Sequence, residues 1–419
     1  MTRKEIAKGV FYNEIEGSYK KSVLAVFLAS PLKRENLTAS ALVPFLLERG
    51  TKALPDMTLL KRKLNSLYGA NLNTSYSSVG FSRIVEGAID GVDGAFGGES
   101  GLSGSRAQLL LDVLFDPAVF EGAFNEEWLD VEREKLREVI RAIINEKRDY
   151  CLRLLAESFF SLDERGLPND GFEEDLDTIT GKSLFEDYSK IVAGSRVEII
   201  YVGNHCEGLY EKLARTFEGI KVGGESVKEL EAVPYCEEKA TVLSLPVEQD
   251  KLALGFTCGR LLSERELAAL RLGSSLLGGS ATSRLFMNVR EKQSLCYYAA
   301  SRISYRSGGG IIVDCGIDHK NTPKAREAIL NELNMLAKDG PTEKELTEIK
   351  LLFKNILSAV RDTSSSLASY CFNSLARYGR LVTPEEELSV IESITFEEIT
   401  AMLCLLRLNA SCLIEKEGK

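Results

Sequence analysis

Laid against itself at an offset of 228 residues, the chain places positions 22–68 on 250–296 without a gap. Nine identities come into register: Leu24/Leu252, Ala25/Ala253, Ala41/Ala269, Leu42/Leu270, Gly50/Gly278, Ala53/Ala281, Arg62/Arg290, Ser66/Ser294 and Leu67/Leu295. Background composition would supply roughly three. Such a repeat constrains the fold more than any local motif, because whatever the first half forms the second must form again. At 419 residues the length already favours two or three domains over a single core.

The order of elements repeats with the residues. Each half opens with an apolar strand, 23–29 and 252–257, followed by a charged turn and a helical run that ends near Gly50 or Gly278. A second helix, 57–67 or 283–295, leads into strand material at 72–81 or 297–304. Long helical stretches follow, about 106–160 and about 323–377. The phrases Leu176-Asp177-Thr178-Ile179-Thr180 and Ile391-Glu392-Ser393-Ile394-Thr395 then introduce a last helix, and each half closes on a strand, 197–202 and more weakly 411–414. Strands and helices segregated in this way predict an α+β fold of two homologous domains, each a mostly antiparallel sheet with helices packed on one face. The expected boundaries are 1–225, a linker at 226–240 in an acidic stretch that opens with Gly223-Gly224, and 241–419. Two similar halves predict a cleft between them.

With 44% hydrophobic residues the chain can bury sizeable cores, which excludes disordered and collagen-like classes. Its 52 basic and 62 acidic residues leave a net charge of -10, so a phosphate backbone would be repelled and no nucleic-acid partner is expected. No run resembles a membrane span. Positions 22–32 follow Lys20-Lys21 like a signal segment, but Glu5, Glu14 and Glu16 precede them, and a buried strand is the better reading. Nine cysteines without a CxxC pair read as reduced core thiols, which places the protein in the cytoplasm.

Only two histidines, His205 and His319, are present, and neither has a second His or a Glu at helical ligand spacing. Neither HExxH nor HxxEH can exist, and no GxSxG marks a nucleophile. The glycines at 87–104, Gly278-Gly279 and Gly308-Gly309-Gly310 fit no phosphate loop; the first group reads as a flexible surface loop and the second as a helix C-terminus.

The most distinctive phrase runs Ser283-Arg284-Leu285-Phe286-Met287-Asn288-Val289-Arg290-Glu291-Lys292-Gln293-Ser294-Leu295-Cys296-Tyr297-Tyr298, preceded by Leu276-Leu277-Gly278-Gly279. Composition alone would assign Arg290 to a charged helix face and Tyr297 to the core. The phrase, however, resembles the second-domain signature of the pitrilysin or insulinase-like zinc peptidases. That resemblance implies that Arg290 and Tyr297 reach a zinc-bound substrate as a clamp, a guanidinium fork and a phenol able to stabilise a developing oxyanion. Tyr298 is the rival for the phenol, since adjacent strand residues face opposite sides.

The resemblance implies an HxxEH motif shortly before Gly50-Thr51. Its histidine positions fall on Ala41 and Phe45 and its general base on Pro44, and the third ligand falls near Glu138 or Val139. No metal is therefore expected in this chain. Glu248-Gln249-Asp250 and Gly340-Pro341-Thr342-Glu343-Lys344-Glu345-Leu346 extend the resemblance over nearly the whole length. Loss of the zinc motif with Arg and Tyr kept is similar to the non-catalytic, YfmF-like chains of two-chain bacterial peptidases. It implies a clam-shaped pair of halves, a zinc-bearing HxxEH homologue as partner, zinc held in that partner, and a peptide or unfolded protein as substrate. It also implies a substrate-binding edge strand around Asn71, Asn73 and Ser75. Two departures stand out: Gly278-Gly279-Ser280 replaces the long glycine-rich insertion of the zinc-less processing-peptidase subunit, and Gln293-Ser294 replaces Arg-Gly. The alternatives are a homodimeric peptide-binding or scaffold protein without catalysis, and metal-independent chemistry on carboxylates such as Glu132 or Glu138.

Overall fold

The computed structural model describes residues 2–97, 101–223 and 226–418. Strands β1 (Thr2–Ala7), β2 (Val10–Glu16), β3 (Lys21–Pro31), β4 (Asn71–Val79), β5 (Ser82–Val92) and β6 (Arg196–Gly203) form one sheet in the order β1-β2-β6-β3-β5-β4. Among them run helices α1 (Leu37–Leu47), α2 (Met57–Ser66), α3 (Gly94–Gly97), α4 (Leu102–Phe115), α5 (Glu126–Asn145), α6 (Lys147–Phe159), α7 (Glu173–Leu176) and α8 (Gly181–Gly194), with α9 (Leu209–Glu218) after β6. Strands β7 (Lys239–Leu245), β8 (Asp250–Thr257), β9 (Cys296–Ile303), β10 (Gly310–Ile317) and β11 (Arg407–Lys416) form the second sheet, in the order β7-β11-β8-β10-β9. The helices of this half of the sequence are α10 (Glu264–Gly278), α11 (Thr322–Asp339), α12 (Glu343–Ala359), α13 (Ser364–Tyr378), α14 (Pro384–Ser393) and α15 (Phe396–Leu405).

The duplication read from sequence reappears as topology. The order β2-β6-β3-β5-β4 is matched strand for strand by β7-β11-β8-β10-β9, and in each sheet only one pair, β2 with β6 and β7 with β11, is parallel. The 228-residue offset carries α1 onto 265–275, inside α10. The phrases ending in Thr180 and Thr395 both end on a capping threonine, of α8 and α15, which closes a reciprocal capping box. The fold is thus the expected α+β pair of mostly antiparallel sheets.

Contacts divide the chain into two units whose borders leave the sequence halves. The first comprises 1–140, 169–228 and 360–381; the second comprises 141–168, 229–359 and 382–419. In the first unit Leu24, Val26 and Leu28 of β3 point into the main core with α1, α4 and α8. Phe27, on the opposite face, stacks flat on Phe372 of α13, ring centroids 3.7 Å apart. In the second unit Cys151, Leu155 and Phe159 form one stripe of α6 and pack with Ala253, Ala410 and Cys412 of the second sheet. Each sheet therefore has a helix layer on one face and a single helix on the other, and that single helix comes from the opposite half of the sequence. Segment 229–238 carries no regular element, yet Val233 is buried in the second unit, its N–H donating to the Ser307 carbonyl.

Two expectations need correction. Positions 87–92 are not surface loop but the second half of β5. Gly87 is glycine because a Cβ there would stand within 2.9 Å of both Leu114 methyls, so α4 packs directly on the strand. Residues 102–104 belong to α4, and 98–100 lie outside the described residues. The cysteines are not uniformly core thiols either, since Cys236 and Cys404 are exposed. No helix among the described residues is long and apolar enough to cross a membrane.

Candidate functional site

Helix α1 holds the positions that the sequence resemblance assigns to a zinc motif. Ala41 and Pro44 are buried and Phe45 is partly exposed, its ring edge-on to Tyr76 at 6.1 Å. A methyl, a pyrrolidine and a phenyl offer no lone pair to a cation. Nearby carboxylates are committed elsewhere. Glu48, one turn beyond Pro44, accepts from the Thr74 N–H at 2.6 Å and the Thr74 hydroxyl at 2.9 Å. Glu132, buried on α5, pairs with Arg49 and with Lys135 at 3.0 Å. Glu138 and Val139 both face solvent. These residues do not fit a zinc ion.

Strand β4 is the terminal strand of its sheet, which puts Asn71, Asn73 and Ser75 on an edge. Asn71 donates to Asp90 at 3.0 Å and Ser75 to Glu86 at 3.3 Å. Burial pushes the Glu86 carboxyl up, and the Ser75 hydroxyl offsets part of that rise. Because the Thr74 amide is taken by Glu48, the middle of this edge already has a side chain where an added strand would accept.

In the second unit α10 starts at a Ser263–Glu266 capping box and ends at Gly278, where the sequence places the end of a helix. The expected helix at 283–295 is shorter and wider: Leu285–Lys292 is a π-helix, a form enriched at functional sites. It is tied at its start by Arg284, which donates to Glu345 at 3.0 Å and to the Gly340 carbonyl at 2.9 Å. The two phrases that carried the resemblance, 283–298 and 340–346, thus meet through one guanidinium. Asn288 donates to the buried Glu332 of α11 at 2.9 Å.

Arg290 leaves this segment half-exposed, its guanidinium 4.5 Å over the Phe286 ring and its Nε 3.6 Å from Glu291. Burial lifts the Cys296 thiol to about 11, and the Arg290 charge pulls the other way. Between them the chain turns at Ser294 with φ of 52°, where the Ser294 N–H donates to the Arg290 carbonyl at 3.0 Å and that of Leu295 to Val289 at 3.1 Å. This is the left-handed C-terminal turn that glycine favours, which gives the Gln293-Ser294 departure a physical meaning.

Tyr297 and Tyr298 differ sharply. Gly316 pairs with Tyr298 and Ile317 with Cys296, so Tyr297 is the extra residue of a β-bulge, and it is 54% exposed. Tyr298 lies over Gly316, where a Cβ would come within 2.5 Å of its ring, with the cations of Arg148 and Lys251 at 4.6 and 5.4 Å. Burial and then Asp314 push its phenol up. Asp314, fully covered, accepts from Arg148 at 2.6 Å and Arg302 at 2.9 Å. Sequence reasoning missed this cluster; the signal was an aspartate inside the otherwise apolar run Gly310–Ile317. His319 lies 3.5 Å from Asp318 and joins no other group named here.

In α1 no side chain at 41, 44 or 45 can hold a metal, and the second unit carries Arg290 and Tyr297 beside a tight turn. Residues 178–353 match the family described as Peptidase M16 inactive domain. The "Probable inactive metalloprotease YmfF" of Bacillus subtilis is 28% identical over 386 residues, covering 90% of this chain and 89% of that protein. A conserved protein from Enterococcus faecalis V583 superposes with a TM-score of 0.89 at 25% identity, over 100% of this chain and 99% of its own. The M16 inactive domain structure from Pseudomonas fluorescens gives 0.80 at 16% identity, over 100% and 98%. Over most of its length the chain is thus similar to M16 peptidase-like proteins of the inactive kind.

Proposed function

We propose that this chain is the non-catalytic, substrate-positioning subunit of a cytoplasmic, heteromeric zinc peptidase, supplying Arg290 and Tyr297 to the active site of a zinc-bearing, HxxEH-containing partner. The observation that carries the reading is a contrast between two helices. At Ala41, Pro44 and Phe45 no side chain can hold a metal, whereas Arg290, half-exposed, and Tyr297, exposed, stand on either side of a tight turn. A guanidinium and a phenol with free donors can hold a peptide carbonyl as it gains charge. Tyr298, enclosed by Arg148 and Lys251, is the less suitable phenol.

The test is capture of the tagged chain from its own host, followed by reconstitution with the HxxEH homologue recovered. Arg290→Ala should lower turnover of the pair by on the order of a hundredfold, as loss of one oxyanion donor does, with assembly intact. Tyr297→Phe should lower it as well and Tyr298→Phe should not. Unchanged turnover in Arg290→Ala would defeat the clamp, and recovery of the chain only with itself would favour the homodimeric peptide-binding module.

A further inference from the structure

Glu14 and Glu16 occupy alternate positions of β2, so their side chains leave the same face of the strand. β2 runs parallel to β6 with Glu14 opposite Tyr201 and Glu16 opposite Gly203, and two residues past Gly203 the chain reaches His205. The imidazole Nδ1 then lies 3.5 Å from a Glu14 oxygen and 3.7 Å from a Glu16 oxygen. The three potential ligand atoms all fall within 4.8 Å of one another.

These separations are too long for N–H···O hydrogen bonds, which lie near 2.7–3.2 Å. Among the described residues none of the three side chains makes a hydrogen bond. They do suit a shared cation. Ligand bonds of about 2.0–2.1 Å to a tetrahedral ion place neighbouring ligand atoms about 3.3 Å apart. One imidazole nitrogen with two carboxylates selects a zinc-class transition ion over magnesium or calcium, which favour all-oxygen shells. Glu14 is largely covered while Glu16 and His205 are open to solvent, so an ion could enter and keep water in its remaining position.

We propose that Glu14, Glu16 and His205 form a divalent transition-metal site, one ion per chain, independent of the position that α1 has lost. Such an ion fastens the loop after β6, and with it the start of α9, to β2. The sequence hid it because two ligands come at strand spacing and the third from the loop after a neighbouring strand, not one helical turn apart.

Zinc chloride titrated into the full-length chain against a chromophoric chelator should show one ion bound. Affinity should fall by at least about tenfold in His205→Ala and in Glu14→Gln with Glu16→Gln. Cys206→Ser, beside the site, should leave it unchanged. Cobalt in place of zinc should give visible bands without a thiolate charge-transfer band, and circular dichroism confirms that each variant is folded. Binding that survives His205→Ala, follows Cys206, or carries the thiolate band overturns the proposal.

Discussion

At the scale of single residues, Ala41, Pro44 and Phe45 offer no ligand to a metal, and the turn between Arg290 and Tyr297 forms with an unfavourable residue in it. Ser294 holds φ of 52°, a conformation that costs a side chain on the order of 1 kcal/mol and glycine much less. Ser294→Gly should therefore raise stability by about 0.5–1 kcal/mol, the greater freedom of glycine in the unfolded chain taking back part of the gain. Thermal unfolding followed by circular dichroism checks this; an unchanged or lower midpoint would mean the serine side chain contributes something the turn geometry does not reveal. The departure at Gln293-Ser294 was legible in the sequence as a difference. That it falls on the left-handed residue was not, because φ depends on where the π-helix ends.

At the scale of elements, what the sequence made plain were segments whose own residues decide their form. The run of β3, apolar on both faces, and the helix starts after the phrases ending in Thr180 and Thr395 act locally and were readable. Positions 87–92 were misread because glycine there answers to α4, a partner distant in sequence. The start of α10 makes the local logic measurable. Glu266 closes the capping box with Ser263 and receives two contacts from Arg260, which, ahead of the Ser263 bonds, holds its carboxyl down at about 2. A folded value below the ordinary one means the contribution is complete above about 4.5 and disappears as pH falls toward 2. The melting-temperature difference between the native chain and Glu266→Gln should thus be constant near neutrality and shrink across that acid window. A difference that persists at the acid end would assign the effect to the cap's neutral hydrogen bonds.

At the scale of the whole molecule, the sequence shows long helical stretches at about 106–160 and 323–377, within which α6 and α13 lie, but not which sheet each helix would cover. Amphipathicity fixes a face, not its partner. The contact units answer by exchange: 141–168 joins the second unit and 360–381 the first, so neither half of the sequence owns a complete set of layers. Cutting the chain at 228 would leave Phe27 without Phe372, and α6, with Cys151, Leu155 and Phe159, without its sheet. Each large side chain uncovered forfeits roughly 1.5–3 kcal/mol, a sizeable share of the 5–15 kcal/mol that holds a domain together. Residues 1–228 expressed alone should therefore aggregate or melt without cooperativity, and so should 229–419. Co-expressed, the two pieces should recover a soluble one-to-one complex with a cooperative transition, seen by size exclusion and calorimetry. A monomeric, cooperatively melting 1–228 fragment would show that the first sheet's second face is dispensable, and the repeat would then be two self-sufficient domains joined in series.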